Sequence, residues 1–355
     1  MGTRIVIMAG GTGGHVYPAL AVAEELRTRG CELVWMGTQR GLESRVVPSA
    51  GFALETLSVA GLRGKNWRER VTGPFLLLKS CLQAIGILRR HRPQVVLGFG
   101  GFVSGPGGLM SRLLGVPLVI HEQNCIPGTT NRWLAKSARK VLEAFPGSFP
   151  KERQAECTGN PVRRALIEIA AQRASRLPDA PLRIFVFGGS LGAQALNEIV
   201  PEALAQLNLP CEIRHQTGAA MRDQTAALYR RLGVASEVVA FIDDMASAYR
   251  WADLAVCRSG AMTVSELAVV ALPAILVPYP HAIDDHQTAN ARFFEQGGAG
   301  RCVPQNELTA AGLAALIREL AADPETLVAM GRQASTLAKP EAAQRVADIA
   351  LEEAR

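Results

Sequence analysis

The 355-residue chain has no aspartate before Asp179 and no D-x-D triplet anywhere. Asp243-Asp244 and Asp284-Asp285 are adjacent pairs, and adjacent positions on a helix do not share a face. A divalent ion held against a diphosphate by paired carboxylates is therefore not expected, and neither a metal nor a cofactor is called for. The seven cysteines (31, 81, 125, 157, 211, 257, 302) form no C-x-x-C pair. That pattern argues for reduced thiols in the cytoplasm and against a disulfide framework or a zinc site. Aromatics make up only 5% of residues, which favours α/β layers over a β-sandwich. The pattern G-x-x-x-x-G-K-[ST] does not occur. No stretch reaches the roughly 18 unbroken apolar residues of a membrane span. The nearest, Pro74 to Leu88, is interrupted by Lys79 and Gln83. The opening MGTRIVIMAGG enters a glycine turn too soon to read as a secretory leader.

Glycine turns and unevenly placed charge are what the chain does have. RIVIMAGGTGGH (Arg4 to His15) recurs in kind as RIFVFGGSLGAQ (Arg183 to Gln194). Each copy is an apolar strand-like run, then glycines, then a helical pattern, an arrangement that aims backbone N–H groups at a phosphate. Two copies half a chain apart predict two Rossmann-like, doubly wound parallel-sheet domains facing one deep cleft. The segment TGNPVRRAL (Thr158 to Leu166) reads as the linker, giving an N-terminal domain 1–163 and a C-terminal domain 164–339. The closing helix, 340–355, is free to pack back on the first domain. In the N-terminal part, strands are expected at Glu32 to Gly37, around Leu54 to Val59, in QVVLGFGG and in VPLVIHEQN. A long helix should occupy much of Val71 to Arg92. The turns GGTGGH, GFGGFVSGPGG and HEQN should then share one rim, beyond the carboxyl ends of the strands. Residues 1–163 hold 21 Lys and Arg against 10 Glu, whereas the rest holds 17 basic against 22 acidic residues. A basic first half implies an anionic partner there, or a solvated basic face.

GGTGGH is not a dinucleotide fingerprint, since Val16 stands at the third glycine and the end of the second strand, Met36 to Gln39, offers no carboxylate. A nicotinamide oxidoreductase is thereby disfavoured. His15 sits where a helix begins and the dipole opposes an imidazolium, which suits a general base, or else a structural histidine. In the second half, Ser190 lies in GGSLG. The segment SGAMTVSE opens a helix that Ser259 or Thr263 can cap, with its free N–H groups facing a pyrophosphate. Glu266, one turn in, is either a ribose ligand or a capping-box glutamate. Gln287 and Asn290 stand at i, i+3, suited to sugar hydroxyls or to an ordinary polar helix start. Arg163 by the linker can meet charge on a leaving diphosphate. Gly61 to Arg92 holds Arg63, Lys65, Arg68, Arg70, Lys79, Arg89, Arg90 and Arg92 against Glu69, around the apolar residues Phe75 to Leu88. It reads as an anchor for an anionic membrane surface or as a core helix with basic ends. Nucleic acid is not favoured, because aromatics for base stacking are lacking. A non-catalytic membrane scaffold would have no use for the histidine and carboxylates at the rims.

GGTGGH, GFGGFVSGPGG, HEQN, GNPVR, GGSLGA, SGAMTVSE and DDHQTAN occur in this order across almost the whole chain. The ordered set closely resembles the MurG family, GT-B glycosyltransferases of bacterial peptidoglycan synthesis. The resemblance implies transfer of N-acetylglucosamine (GlcNAc) from UDP-GlcNAc to the 4-hydroxyl of the muramyl sugar (MurNAc) in undecaprenyl-pyrophosphoryl-MurNAc-pentapeptide, lipid I, with inversion to a β-1,4 bond. It further implies a peripheral enzyme on the cytoplasmic face of the bacterial inner membrane. Family donor contacts fall on Thr12, Gly13, Gly14, Asn124, Arg163, Ser190, Ile242 and Gln287, and on Ala261, Met262, Thr263, Val264, Ser265 and Glu266. Ile242 would offer its backbone to uracil and Glu266 would bind ribose. His15 corresponds to the family's glycine-loop histidine and is the first candidate base, with His121 and Glu122 next. Another GT-B enzyme acting on a UDP-sugar, a glycolipid glycosyltransferase or a UDP-sugar epimerase, is the alternative. An epimerase would have no need of a lipid-facing segment.

Overall fold

A computed structural model of the chain describes residues 2–59, 67–170 and 180–355, with the side chains of residues 67–72, 170 and 283 outside the description. Two compact units emerge, Met1–Arg163 together with Lys339–Arg355, and Arg164–Ala338. The first runs β1 (Arg4–Met8), α1 (Gly13–Thr28), β2 (Glu32–Gly37), α2 (Glu43–Ser49), β3 (Ala53–Thr56), α3 (Trp67–His91) and β4 (Val95–Gly98). It continues through α4 (Ser104–Leu113), β5 (Leu118–Glu122), α5 (Thr129–Leu134), β6 (Lys140–Glu143) and β7 (Glu156–Cys157). The second unit begins with α6 (Arg164–Ala170), β8 (Leu182–Phe187), α7 (Gln194–Ala205), β9 (Cys211–Gln216), α8 (Arg222–Arg231) and β10 (Glu237–Val239). Then come α9 (Met245–Trp251), β11 (Leu254–Cys257), α10 (Ala261–Val269), β12 (Ala274–Leu276), α11 (His286–Gln296), β13 (Gly300–Cys302), α12 (Ala310–Ala321) and α13 (Pro324–Leu337). The last helix, α14 (Ala342–Glu353), returns to the first unit.

Among the described residues each unit has one parallel sheet, ordered β3-β2-β1-β4-β5-β6-β7 and β10-β9-β8-β11-β12-β13. Alternation along β1 shows why the first is covered on both faces. Ile5 and Ile7 join α1 residues Val22 and Leu26 and α14 residues Val346 and Ile349 in one cluster. Val6 and Met8 join Ala84, Ile87 and Leu88 of α3 and Met110 of α4 in another. Each such fully buried aliphatic side chain stabilises its unit by about 1.5–3 kcal/mol relative to exposure. The Arg29–Asp348 ion pair and the 3.0 Å Arg139–Glu353 pair add to the seam of α14. In both units the strand order reverses between the first strand and its neighbour, β1 against β4 and β8 against β11. Parallel sheets open a crevice for ligands at such a switch point.

Several local readings change. Only part of GFGGFVSGPGG is a turn, because α4 already starts at Ser104. Its glycines serve packing instead: a Cβ on Gly107 would lie 2.2 Å from Met8 Sδ, so glycine lets the helix settle on β1. Pro106 is tolerated in the first helical turn, where an amide has no intrahelical acceptor to lose. The apolar stretch of α3 also divides. Ala84, Ile87 and Leu88 are buried, whereas Phe75, Leu76, Leu77, Leu78 and Leu82 are exposed. Arg63 and Lys65 lie outside the described residues, as do the side chains of Arg68, Glu69 and Arg70. Among the described residues, no helix is long and apolar enough to cross a membrane.

Candidate functional site

In the first unit the candidate residues gather on the carboxyl ends of β1, β4 and β5. β1 ends at Met8, the glycine turn follows, and α1 starts at Gly13 with Thr12 as an extended N-cap that makes no side-chain capping bond. The first turn carries no acidic residue, so the amides of Gly13 and Gly14 sit at a helix start suited to an anion. From the neighbouring strand, Gly101 (φ 80°) passes so close that a Cβ would meet the Gly10 carbonyl oxygen at 2.4 Å. Beneath the loop, the fully buried Glu43 accepts hydrogen bonds from Gly11 N (2.9 Å), Thr38 N (2.9 Å) and Thr38 Oγ1 (2.7 Å). Motif reading gave no hint of Glu43, which belongs to a seven-residue helix far from any glycine signature.

His15 is half-buried, and its Nδ1 lies 2.8 Å from Gln123 Oε1, the residue between Glu122 and Asn124. His121 and Glu122 are both buried and fully engaged. His121 Nε2 donates to the Gly159 carbonyl (2.9 Å), and burial holds its imidazole down to about 4. Glu122 accepts from Asn124 N and Nδ2, Gly128 N and Asn131 Nδ2, at 2.9 to 3.2 Å, and so shapes the loop after β5. Both side chains therefore build the rim, while the half-exposed His15 stands at it. Asn160 Nδ2 donates to the Gln123 carbonyl (3.0 Å), which ties GNPVR to HEQN. The Arg163 guanidinium lies over the Tyr17 ring of α1, 5.6 Å from its centroid.

In the second unit, Ser190 is exposed in the turn after β8, and Ala261 to Glu266 open α10 after the adjacent β11. The N-cap of α10 is Gly260, with no side-chain cap. Ser259 does not cap the helix, because its hydroxyl donates to the Gln287 carbonyl (2.8 Å). Nor does Thr263 cap it. This N-terminus thus has no side-chain cap and no acidic residue in its first turn, a start suited to an anion. Glu266 is 9% exposed and accepts from Tyr249 Oη at 3.0 Å. Gln287 Oε1 accepts from Tyr279 N (3.0 Å). Asn290 is fully buried and donates to the Ser259 carbonyl (3.1 Å), so this half of the expected sugar-binding pair is structural. Ile242 is half-buried between β10 and α9, two residues before Asp244, which caps α9 through Ser247. Among the described residues no cluster of three or more His, Cys, Asp or Glu is grouped as metal ligands are.

Residues 5–143 match the glycosyltransferase family 28 N-terminal domain, and residues 183–346 match its C-terminal domain. The chain belongs to glycosyltransferase family 28. The UDP-N-acetylglucosamine--N-acetylmuramyl-(pentapeptide) pyrophosphoryl-undecaprenol N-acetylglucosamine transferase of Methylococcus capsulatus is 57% identical over 355 residues, covering 100% of this chain and 99% of the relative. The Pseudomonas aeruginosa protein of the same name is 54% identical over 354 residues, covering 99% of each. The crystal structure of Acinetobacter baumannii MurG superposes with a TM-score of 0.85 at 40% identity, covering 99% of each chain. At 18% identity, the glycosyltransferase of kitacinnamycin shares the fold, with a TM-score of 0.72 and full coverage of both chains. The α/β GT-B class and the family resemblance read from the ordered motifs both hold.

Proposed function

We propose that the chain transfers GlcNAc from UDP-GlcNAc to the muramyl 4-hydroxyl of undecaprenyl-pyrophosphoryl-MurNAc-pentapeptide, giving lipid II. The observation that carries this reading is identity above one half along the full length of relatives bearing that name, with every ordered motif present. His15 takes the proton of the 4-hydroxyl as that oxygen attacks the anomeric carbon. The C1–O bond to UDP breaks on the opposite face, and the configuration inverts. General-base assistance of this kind is worth about 10²- to 10⁴-fold. The leaving diphosphate is met by the uncapped N-terminus of α10, the hydroxyl of Ser190 and the Arg163 guanidinium, while Glu266 takes the ribose and the Ile242 backbone the uracil. Thr12, Gly13, Gly14, Asn124 and Gln287 complete the donor contacts.

The acceptor is lipid-borne, and we assign its approach to the exposed face of α3. Phe75 (73% exposed), Leu78 (59%) and Leu82 (61%) project there beside exposed Lys79, Arg89 and Arg90. Apolar side chains flanked by cations suit the cytoplasmic surface of an anionic membrane. The test is to incubate the protein with radiolabelled UDP-GlcNAc and a lipid I analogue and to follow label into the lipid fraction. Label that stays in the aqueous phase would end this reading. Replacing His15 with Ala should lower turnover at least a hundredfold and leave UDP affinity unchanged.

A further inference from the structure

A histidine acts as a base only through the nitrogen that lacks a proton, so which nitrogen that is has to be set by a neighbour. In the first unit a single chain of hydrogen bonds can be followed from a backbone carbonyl to His15. The Gly159 carbonyl can only accept, so the 2.9 Å contact from His121 Nε2 carries the proton on that nitrogen. Burial keeps His121 neutral near pH 7, which leaves its Nδ1 as an acceptor. Gln123 Nε2 lies 3.1 Å from that Nδ1 and 2.9 Å from the His121 carbonyl oxygen. Two acceptors on one side fix the amide, with its nitrogen toward His121 and its oxygen toward His15. A flipped amide would set its oxygen against both acceptors. Gln123 Oε1 then accepts from His15 Nδ1 at 2.8 Å.

Resting on the reading of His15 as the base, we propose that Gln123 is a positioning residue that holds His15 in the Nδ1-protonated tautomer. This leaves His15 Nε2 bare for the acceptor hydroxyl. Gln123 is 1% exposed, so water does not compete for either end of its amide. Its backbone is pinned as well, because Asn160 donates to its carbonyl. Gly100, in the turn after β4, lies close beside the imidazole: a Cβ there would sit 3.0 Å from His15 Cε1 and Nδ1. The ring is thus held in orientation and in protonation pattern by different elements. A neutral amide does this without placing a charge beside the imidazole, where the pyrophosphate of the acceptor is expected.

The test uses the full chain labelled with ¹⁵N at its six histidines, with the His15 signals assigned by their loss in His15→Ala. Long-range ¹H–¹⁵N spectra then report which nitrogen of each ring carries hydrogen. The native protein should show His15 protonated at Nδ1 and His121 at Nε2. Gln123→Met removes the amide and should leave His15 as a mixture of tautomers, with kcat reduced about tenfold and KM for UDP-GlcNAc unchanged. Gln123→Glu keeps an acceptor for His15 but places a second one against His121 Nδ1. It should preserve the His15 tautomer and disturb only that of His121. A native His15 protonated at Nε2, or a Gln123→Met protein with an unaltered tautomer, would overturn the proposal. A merely structural loss in Gln123→Met would lower its melting temperature without moving the tautomer, and that outcome counts equally against it. Full turnover in His15→Ala would instead remove the base, and the spectra would still decide on the relay.

Discussion

Tyr249 on α9 donates its hydroxyl hydrogen to Glu266 Oε2 on α10 over 3.0 Å, and both side chains are buried. The phenol ring is wedged edge-on against Phe185 and Phe187 of β8, at 5.9 and 5.8 Å between centroids. An aromatic stack in the core of the second unit therefore fixes the carboxylate assigned to the ribose. Tyr249→Phe keeps the ring and removes the donor. Leaving a buried carboxylate short of one bond costs about 1–3 kcal/mol. The expected outcome is a UDP-GlcNAc KM raised several-fold with kcat nearly native, checked by steady-state kinetics and by calorimetric titration with UDP. Equal affinities for UDP would mean that the carboxylate does not depend on this bond.

Glu43 acts on the glycine turn in a comparable way. Its Oε2 holds Gly11 N and its Oε1 holds Thr38. Glu43→Gln keeps the shape but turns an NH2 group toward one of those donors. That mismatch, in a side chain with no exposure, should lower the stability of the first unit by about 1–3 kcal/mol. Turnover should fall with it, because the amides of Gly13 and Gly14 follow the turn. Thermal unfolding and initial rates of the variant check both effects.

The sequence made some of this plain and hid the rest, for identifiable reasons. β1, its glycine turn and α1 were legible because apolar runs, glycines and a helical stripe follow one another without interruption. β6, β7 and β13 were not, being two to four residues long and lacking a turn signature. Ser259 and Thr263 both suit a cap in the sequence, because serine or threonine at a helix start often is one. The actual partner of Ser259, the Gln287 carbonyl, is 28 residues away, and no local pattern announces such a bond. Gln123 lay inside a recognised motif, yet its meaning depends on which way an amide points at a histidine 108 positions earlier. Spacing rules find residues that act through their own backbone neighbourhood. They miss those that act through a tertiary contact.

Acid should weaken the fold in a window set by two buried histidines. Burial holds His121 down to about 4 and His215 down to about 3. An unfolded histidine titrates near 6.5, so between about pH 6.5 and those values the unfolded chain binds more protons than the folded one. Stability therefore rises with pH across this window and is lost as pH falls through it, by up to about 1.4 kcal/mol per pH unit for each histidine. His215, held between Tyr229 Oη (2.9 Å) and Asn197 Oδ1 (3.0 Å), reports on the second unit alone. Melting temperatures from pH 7 to pH 4 should fall in the native chain. His215→Gln should start lower at pH 7 and fall less steeply. An unchanged slope would mean that other groups set the acid limit.

Leu78 and Leu82 stand at i, i+4 on α3 and therefore side by side, at 59% and 61% exposure. Neither is needed for the core, which α3 reaches through Ala84, Ile87 and Leu88. Replacing both by Glu should leave the melting temperature and UDP affinity native. Two leucines entering an interface contribute about 1.5–3 kcal/mol each, and two glutamates add repulsion from an anionic surface. Sedimentation with vesicles containing anionic lipid should accordingly show binding reduced at least a hundredfold. Turnover on a water-soluble acceptor analogue should persist, while turnover on acceptor embedded in those vesicles should collapse. The cationic flank of Lys79, Arg89 and Arg90 predicts that raised salt weakens native binding as well, because surface charges are screened beyond a Debye length. Vesicle binding that survives both the double substitution and high salt would show that another face of the protein meets the membrane.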